Sequence, residues 1–293
     1  MDSNQLNTRS RQSQSSPVVS VVMAVHQGVQ LKYLEEAVDS VWSQEFSDFE
    51  FLIVADGPLD PAQECFLTSQ QQKDKRVIIH RIEKNRGPGA ARNVAILQAK
   101  GRYVAIMDSD DISLPIRLGT EVNFLDVHSD IAVVGSSCDV IDEEGEITGH
   151  RHLPEGSKAL RKYALFFCPL NNPTIMARAV ILQKYMYDEK WRNGEDYRLW
   201  LRLLAANYKI ANIREPLLKF RVDSHLYKRR VGYQKAKSDL MHRLYAVRIA
   251  PIHMIAFVII FAIMAFSVRF MPHKVVNYLT TARDYFRVKI VNG

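Results

Sequence analysis

Val104-Ala105-Ile106-Met107-Asp108-Ser109-Asp110-Asp111 reads as a buried strand that runs straight into an acidic turn. The apolar half has no polar interruption, and the carboxylates arrive together where strand hydrogen bonding should stop. Carboxylates this close repel and raise one another's proton affinity unless a cation sits among them, and their hard oxygens suit Mg2+ or Mn2+. In an open α/β sheet, ligands bind beyond the carboxyl ends of the strands, so an acidic strand end lies where a site is expected. Taken alone, the cluster reads as a capped turn leading into the next helix. The rest of the chain reverses that reading.

On the amino-terminal side, Val18 to Val25 is a nearly continuous apolar run rich in β-branched residues, as a parallel strand buried on both faces requires. Leu34, Ala37, Val38 and Val41 fall at helical spacing within Leu31 to Trp42. Phe49 to Val54 gives a second strand ending in Ala55-Asp56-Gly57, Val77 to Ile82 a third, and Tyr103 to Met107 a fourth. Strands alternating with helices predict right-handed β-α-β units, helices on both faces, and a Rossmann-like, mostly parallel sheet. The loops at the strands' carboxyl ends then bring Asp56 and the acidic cluster to one rim.

Asn85-Arg86-Gly87-Pro88-Gly89-Ala90-Ala91-Arg92-Asn93 lies between the third and fourth strands. Its glycines permit close backbone approach, and the helix that starts there offers free N–H groups to an anion, with Arg86 and Arg92 adding charge. Neither the Walker pattern nor the dinucleotide G-x-G-x-x-G spacing is present.

The chain has 293 residues, enough for one large or two small domains, and an apolar fraction of 47% that excludes a disordered or fibrous chain. Cys65, Cys138 and Cys168 are odd in number and far apart, which argues against a disulfide framework or a thiolate metal site and fits a reducing cytoplasm. The formal charge of +7 raises the question of nucleic acid. Yet the basic residues concentrate after Lys228, beside an apolar run, so an anionic membrane surface is the expected partner and nucleic acid is not.

The order of motifs resembles something specific. The first strand, Val54-Ala55-Asp56-Gly57, the Asn85 to Asn93 loop, Gly101 to Asp111, and Gly194-Glu195-Asp196-Tyr-Arg-Leu-Trp-Leu-Arg202 together resemble family 2 of the glycosyltransferases over about Pro17 to His225. The resemblance implies a GT-A fold and transfer of a sugar from a nucleotide donor, with UDP favoured. It implies that Asp56 hydrogen-bonds the donor's base, that Asp108, Ser109 and Asp110 form the D-x-D signature, and that Asp110 ligates Mn2+ or Mg2+ while Asp108 faces the nucleotide and the metal. Arg92 matches a basic residue near the nucleotide, and Asp196 the catalytic base. Phe220 to His225 resembles the closing Arg-x-x-x-His segment, making Arg221 and His225 candidates for the diphosphate. Ala55 stands where the family commonly has a first aspartate, and His26-Gln27 where it has Tyr-Asn; neither removes a catalytic role.

Physical logic agrees with the resemblance. A nucleoside diphosphate leaves readily only when its developing charge is neutralised, and the attacking hydroxyl needs a general base. Direct displacement of this kind inverts the anomeric centre. A glycosidase would instead need paired carboxylates flanking the bond. A non-catalytic, membrane-recruited binding protein with the same fold is the second class of function, and intact Asp110 and Asp196 count against it.

Further along, Ile131 to Ser136 predicts a strand and Asp139 to Gly149 an acidic hairpin or loop, with His150 and His152 at the surface. Cys168 to Met176 resembles an acceptor-side segment of enzymes that build surface polysaccharides, with Asn172 and Thr174 as candidate acceptor contacts. Tyr197 to Leu204 predicts an amphipathic helix with Asp196 in its first turn, and Lys209 to Ile213 a strand.

The composition then changes. Lys228, Arg229, Arg230, Lys235, Lys237, Arg243 and Arg248 precede the apolar run Ile252 to Val268, and Arg269, His273, Lys274, Arg283, Arg287 and Lys289 follow it. As a helix the run spans about 26 Å, short of a ~30 Å hydrocarbon core, and its two basic flanks disfavour a single crossing. An in-plane or re-entrant helix on the cytoplasmic face is expected first, a tilted span second and a core helix third. The expected organisation is therefore a disordered tail over 1–16 without a secretory signal, a catalytic domain over 17–230, and a membrane-association region over 231–293 that faces a lipid-linked saccharide acceptor.

Overall fold

The computed structural model describes residues 16–222 and 233–268. The tail up to residue 15, His225, Lys228 to Arg230 and the basic flank from Arg269 onward lie outside the described residues.

The chain opens with β1 (Val19–Val25), α1 (Leu31–Trp42), β2 (Phe49–Asp56), α2 (Pro61–Lys73), β3 (Val77–Ile82), α3 (Pro88–Gln98) and β4 (Tyr103–Asp108). β1, β2, β3 and β4 pair in parallel in the order β3-β2-β1-β4; β1, β2 and β4 are buried on both faces, as their largely apolar runs require, and β3 is the half-exposed edge. Alternation along β4 divides the core. Val104 and Ile106 pack with Ala91, Ala95 and Ile96 of α3, while Ala105 and Met107 pack with Leu34 and Val38 of α1 on the other face.

The second half adds β5 (Ile112–Ser113), α4 (Arg117–Val127), β6 (Ile131–Ile141), β7 (Ile147–Arg151), α5 (Ser157–Tyr163), β8 (Met176–Arg178), α6 (Ala179–Tyr185), α7 (Glu195–Ala205) and β9 (Lys209–Arg221). The full order is β3-β2-β1-β4-β8-β6-β9-β5, with β7 on the flank of β6. Here the expectation of a mostly parallel sheet needs correction, because β8 is antiparallel to both neighbours, and β6/β7 and β5/β9 are antiparallel as well. The reason is connectivity. β8 is entered from a 3-10 turn at Asn172–Thr174 rather than through a helical crossover, and β6 and β7 form the hairpin expected near Asp139.

α7 buries Leu199, Trp200, Leu203 and Leu204 and leaves Arg198 and Arg202 on its outer side. At roughly 1.5–3 kcal/mol for each large apolar side chain removed from water, this face fixes the helix against the sheet. α8 (Tyr233–Tyr245) packs on α7 through His242, which is fully buried, and α9 (Ile255–Val268) packs on α8. Phe261 of α9 meets Phe166 and Phe167 edge-on at 5.0 and 5.8 Å, whereas Ile260, Ile263 and Met264 remain exposed. No helix among the described residues is long and apolar enough to cross a membrane.

Candidate active site

The parallel register aligns Ala24 with Asp108 and Val25 with Ala55, so Asp56 and Asp108 finish their strands at one edge. Asp56 is 4% exposed and accepts the N–H groups of Arg86 and Gly87 at 2.7 and 2.9 Å. It thereby ties the end of β2 to the loop that opens α3. Gly87 takes φ +94°, a region that L side chains rarely adopt, and Pro88 then supplies the preset φ of the first helical position.

Beyond β4 the chain turns sharply. Asp111 is 1% exposed; its Oδ1 accepts the Arg221 N–H at 2.8 Å, and its Oδ2 has no hydrogen-bond partner among the described residues. Burial first, then repulsion from Asp110 and Asp108, pushes its carboxyl well above the usual range. Ser109 is buried and Asp110 half-buried. The Arg221 guanidinium donates to the Asp110 carbonyl at 2.9 Å, to the carbonyls of Asp142 and Glu143 at 3.1 and 3.2 Å, and to Glu36 Oε2 at 2.5 Å. It also stands 4.3 Å from the centroid of the Tyr33 ring. Its side chain is only 2% exposed, so Arg221 secures the acidic turn from behind rather than entering the cleft.

Arg92, on the second turn of α3, reaches across instead. Its Nη2 donates to Asp108 Oδ1 at 2.6 Å and its Nη1 to Glu195 Oε1 at 3.2 Å, joining the end of β4 to the start of α7. Asn93 beside it is structural, exchanging hydrogen bonds of 2.8 and 2.9 Å with the Tyr187 backbone. Glu195 is 8% exposed, and burial, then the adjoining Asp196, raises its pKa to about 7 against the opposing pull of Arg92. Asp196 is half-buried; its Oδ1 accepts the Tyr197 N–H at 2.7 Å and its Oδ2 faces the Cys168 thiol at 3.7 Å. The turn that presents this pair depends on Gly194, at φ +70°, where an added Cβ would stand 2.8 Å from His242 Cδ2.

Asp108, Arg92 and Asp196 line a single cleft of about 300 Å³, the juxtaposition expected of them. Asp56, Ser109, Asp110 and Arg221 are not among its walls. Asn172 is a wall, with Oδ1 accepting from Tyr187 Oη at 2.8 Å, whereas Thr174 is fully buried and bonds the backbone of Ser136 and Asn171. Sequence reasoning placed Cys168 and Phe220 in segments near the site without singling them out, and missed Arg151 as a wall. Arg151 stands between two histidines on a hairpin, and no spacing signals that it points inward. Among the described residues no group of three or more His, Cys, Asp or Glu is placed to hold a metal ion. Ions such as Mg2+ take one or two carboxylates and complete their shell with substrate phosphates, so the carboxylates of Asp108 and Asp110, with the buried Asp111 Oδ2 that has no hydrogen-bond partner among the described residues, are chemically suited to such an ion.

The mixed α/β sheet flanked by helices, with an acidic strand end opening into a cleft shared with a helix start, is a GT-A-like fold. Two solved structures share the fold: the mannosyltransferase PcManGT from Pyrobaculum calidifontis in complex with GDP-Man and Mn2+, and S. aureus TarS 1–349 in complex with UDP-GlcNAc. The first has a TM-score of 0.63 at 14% identity over 93% of this chain and 81% of its own, the second 0.65 at 20% over 86% and 72%. The chain belongs to glycosyl transferase family 2, whose family model matches residues 20–191. It is 40% identical over 225 residues to an uncharacterised glycosyltransferase of Methanocaldococcus jannaschii, covering 76% of this chain and 77% of that one. It is 35% identical over 213 residues to the O-antigen biosynthesis glycosyltransferase WbnJ of Escherichia coli, covering 70% and 80%.

Proposed function

We propose that this glycosyltransferase moves a sugar, with inversion, from a UDP-linked donor to a hydroxyl of a membrane-held, lipid-linked saccharide in surface-polysaccharide assembly. The observation that carries the reading is the shared cleft of Asp108, Arg92 and Asp196. Asp110 and Asp108 would hold one Mn2+ or Mg2+, which supplies charge neutralisation for the departing diphosphate. Asp56 holds the Arg86-Gly87 loop and keeps a lone pair on each oxygen for the donor's base. Arg92 fixes Asp108 toward the nucleotide, while Arg221 holds the turn on which Ser109 and Asp110 sit. Asp196, on the cleft wall, takes the proton of the acceptor hydroxyl as that oxygen attacks the anomeric carbon from the side opposite the leaving group. The Mn2+ and nucleotide-sugar complexes of the fold neighbours and the O-antigen relative support the donor, the metal and the pathway class.

The membrane part rests on the region 231–293. Ile260, Ile263 and Met264 form an exposed apolar face on α9, which packs on Phe166 and Phe167, next in the chain to the cleft residue Cys168. A helix lying in the cytoplasmic leaflet would set the cleft level with the head group of a lipid-linked acceptor. The test is release of nucleoside diphosphate from a panel of nucleotide sugars with and without Mn2+. Mn2+-dependent release that is lost in Asp110→Ala supports the reading; no binding or turnover of any nucleotide sugar overturns it.

A further inference from the structure

One cation on the cleft wall has no part in the mechanism above. Arg151 ends β7 and is half-buried. Its guanidinium carbon lies 4.4 Å from the centroid of the Phe220 ring, which orients the planar group by stacking. The next residue, Arg221, binds Asp111 through its N–H and the Asp110 carbonyl through Nε, so the stack is tethered one residue from the acidic turn. The hydrogen bond of the Arg151 side chain is Nη1 to Asn171 Oδ1 at 3.5 Å, long for a charged donor. Among the described residues no carboxylate lies within 4.0 Å of its nitrogens, whereas Arg92, the other basic residue of the cleft, is held by Asp108 and Glu195. A guanidinium has five N–H donors, so among the described residues most of this fork, on a residue that lines the cleft, has no hydrogen-bond partner.

Neutral sugar hydroxyls do not require such a group. A phosphate does, because it matches the planar fork with two parallel charge-assisted hydrogen bonds. Resting on the glycosyltransferase reading, we propose that Arg151 is a phosphate anchor that grips either the diphosphate of the donor or the phosphate of a lipid-diphosphate acceptor. Phe220 acts as its positioning residue, holding the guanidinium flat at the end of β9.

The test compares wild type, Arg151→Gln and Arg151→Lys as full chains with matched thermal midpoints. Calorimetric titration with inorganic pyrophosphate, UDP and GDP in Mg2+ reads the donor arm. KM for a lipid-diphosphate-linked saccharide, set against the same saccharide on an uncharged aglycone, reads the acceptor arm. A ten- to hundredfold loss of pyrophosphate and nucleotide affinity in Arg151→Gln, partly restored in Arg151→Lys, supports the anchor at the donor. Unchanged titrations with a similar rise in KM confined to the phosphate-bearing acceptor support it at the acceptor. Equal behaviour of Arg151→Gln and wild type in both arms overturns this inference and leaves the glycosyltransferase reading standing. A wild-type protein that binds no nucleoside diphosphate overturns both. Should Arg151→Gln fail to fold, Arg151→Lys carries the test, because it keeps the charge but loses the planar fork, and unchanged affinity and KM there count against the anchor.

Discussion

Arg92 and Asp108 meet at 2.6 Å, and the same guanidinium holds Glu195 at 3.2 Å, so one buried cation sets the distance between the acidic strand end and the helix that carries Asp196. Removing it strands two carboxylates. Arg92→Ala should destabilise the fold by about 3 kcal/mol, the usual cost of leaving buried charge unpaired, and should weaken nucleotide binding as well. Arg92→Lys keeps a charge but cannot bridge both partners, and is expected to lose binding while retaining most of the stability. Chemical denaturation alongside UDP titration separates the two effects; a fully stable Arg92→Ala would show that the bridge is dispensable.

Gly194 and Gly145 both have positive φ, at +70° and +93°, but only Gly194 is crowded, with His242 Cδ2 2.8 Å from the position of a Cβ. Among the described residues nothing lies within 4 Å of an added Cβ at Gly145. Gly145→Ala should therefore cost only the backbone strain of about 1 kcal/mol, whereas Gly194→Ala adds a clash against a buried ring and displaces the turn before Glu195 and Asp196. Thermal unfolding and transfer rates are the measurements. Equal loss in the two variants would mean that His242 gives way freely.

Glu195 gives the stability of this protein a pH dependence of definite sign. Its carboxyl titrates at about 7 in the folded chain against an ordinary 4.5, so the folded state holds the proton more tightly. Its contribution is fully present below pH 4.5 and is lost as pH rises through about 7, a swing of about 3 kcal/mol at ~1.4 kcal/mol per pKa unit. Glu195→Gln should flatten the stability profile over that window. Urea unfolding at a series of pH values checks it, and parallel profiles for the two proteins would contradict the assignment.

The exposed face of α9 makes membrane attachment measurable. Ile260→Glu with Ile263→Glu replaces apolar surface that is 54% and 53% exposed, so the fold should survive. Co-sedimentation with anionic phosphatidylserine vesicles should fall several-fold, in proportion to the lost apolar area. Binding equal to wild type would assign attachment to the basic residues alone.

Much of this was legible in the chain. β1, β2, β4 and α1 announce themselves because strands buried on two faces need largely apolar runs and a one-faced helix needs the 3.6-residue period; β3, a half-exposed edge, shows only its Val77-Ile78-Ile79 start. α2 does not, because its inward face is Gln63, Leu67 and Gln70, two of them polar; its trace is the Asp60-Pro61-x-Gln63 cap, seen as the Asp60 N–H donating to Gln63 Oε1 at 3.0 Å. β8 is three residues long, too short for any period, and its antiparallel pairing is settled by partners more than forty residues away. At the site, Asp108, Arg92 and Asp196 were readable from motif order. Burial was not: Arg221 looks like a ligand-binding arginine in sequence and proves to be buried and bonded to carbonyls and Glu36, while Arg151 carries no signal and lines the cleft.

Asp196→Asn tests the central claim most directly, because amide for carboxylate removes the proton acceptor and little else. In a coupled assay with nucleotide titration alongside, nucleoside diphosphate binding should stay at the wild-type level while sugar transfer falls by about two to four orders of magnitude. Transfer at the wild-type rate would contradict the account.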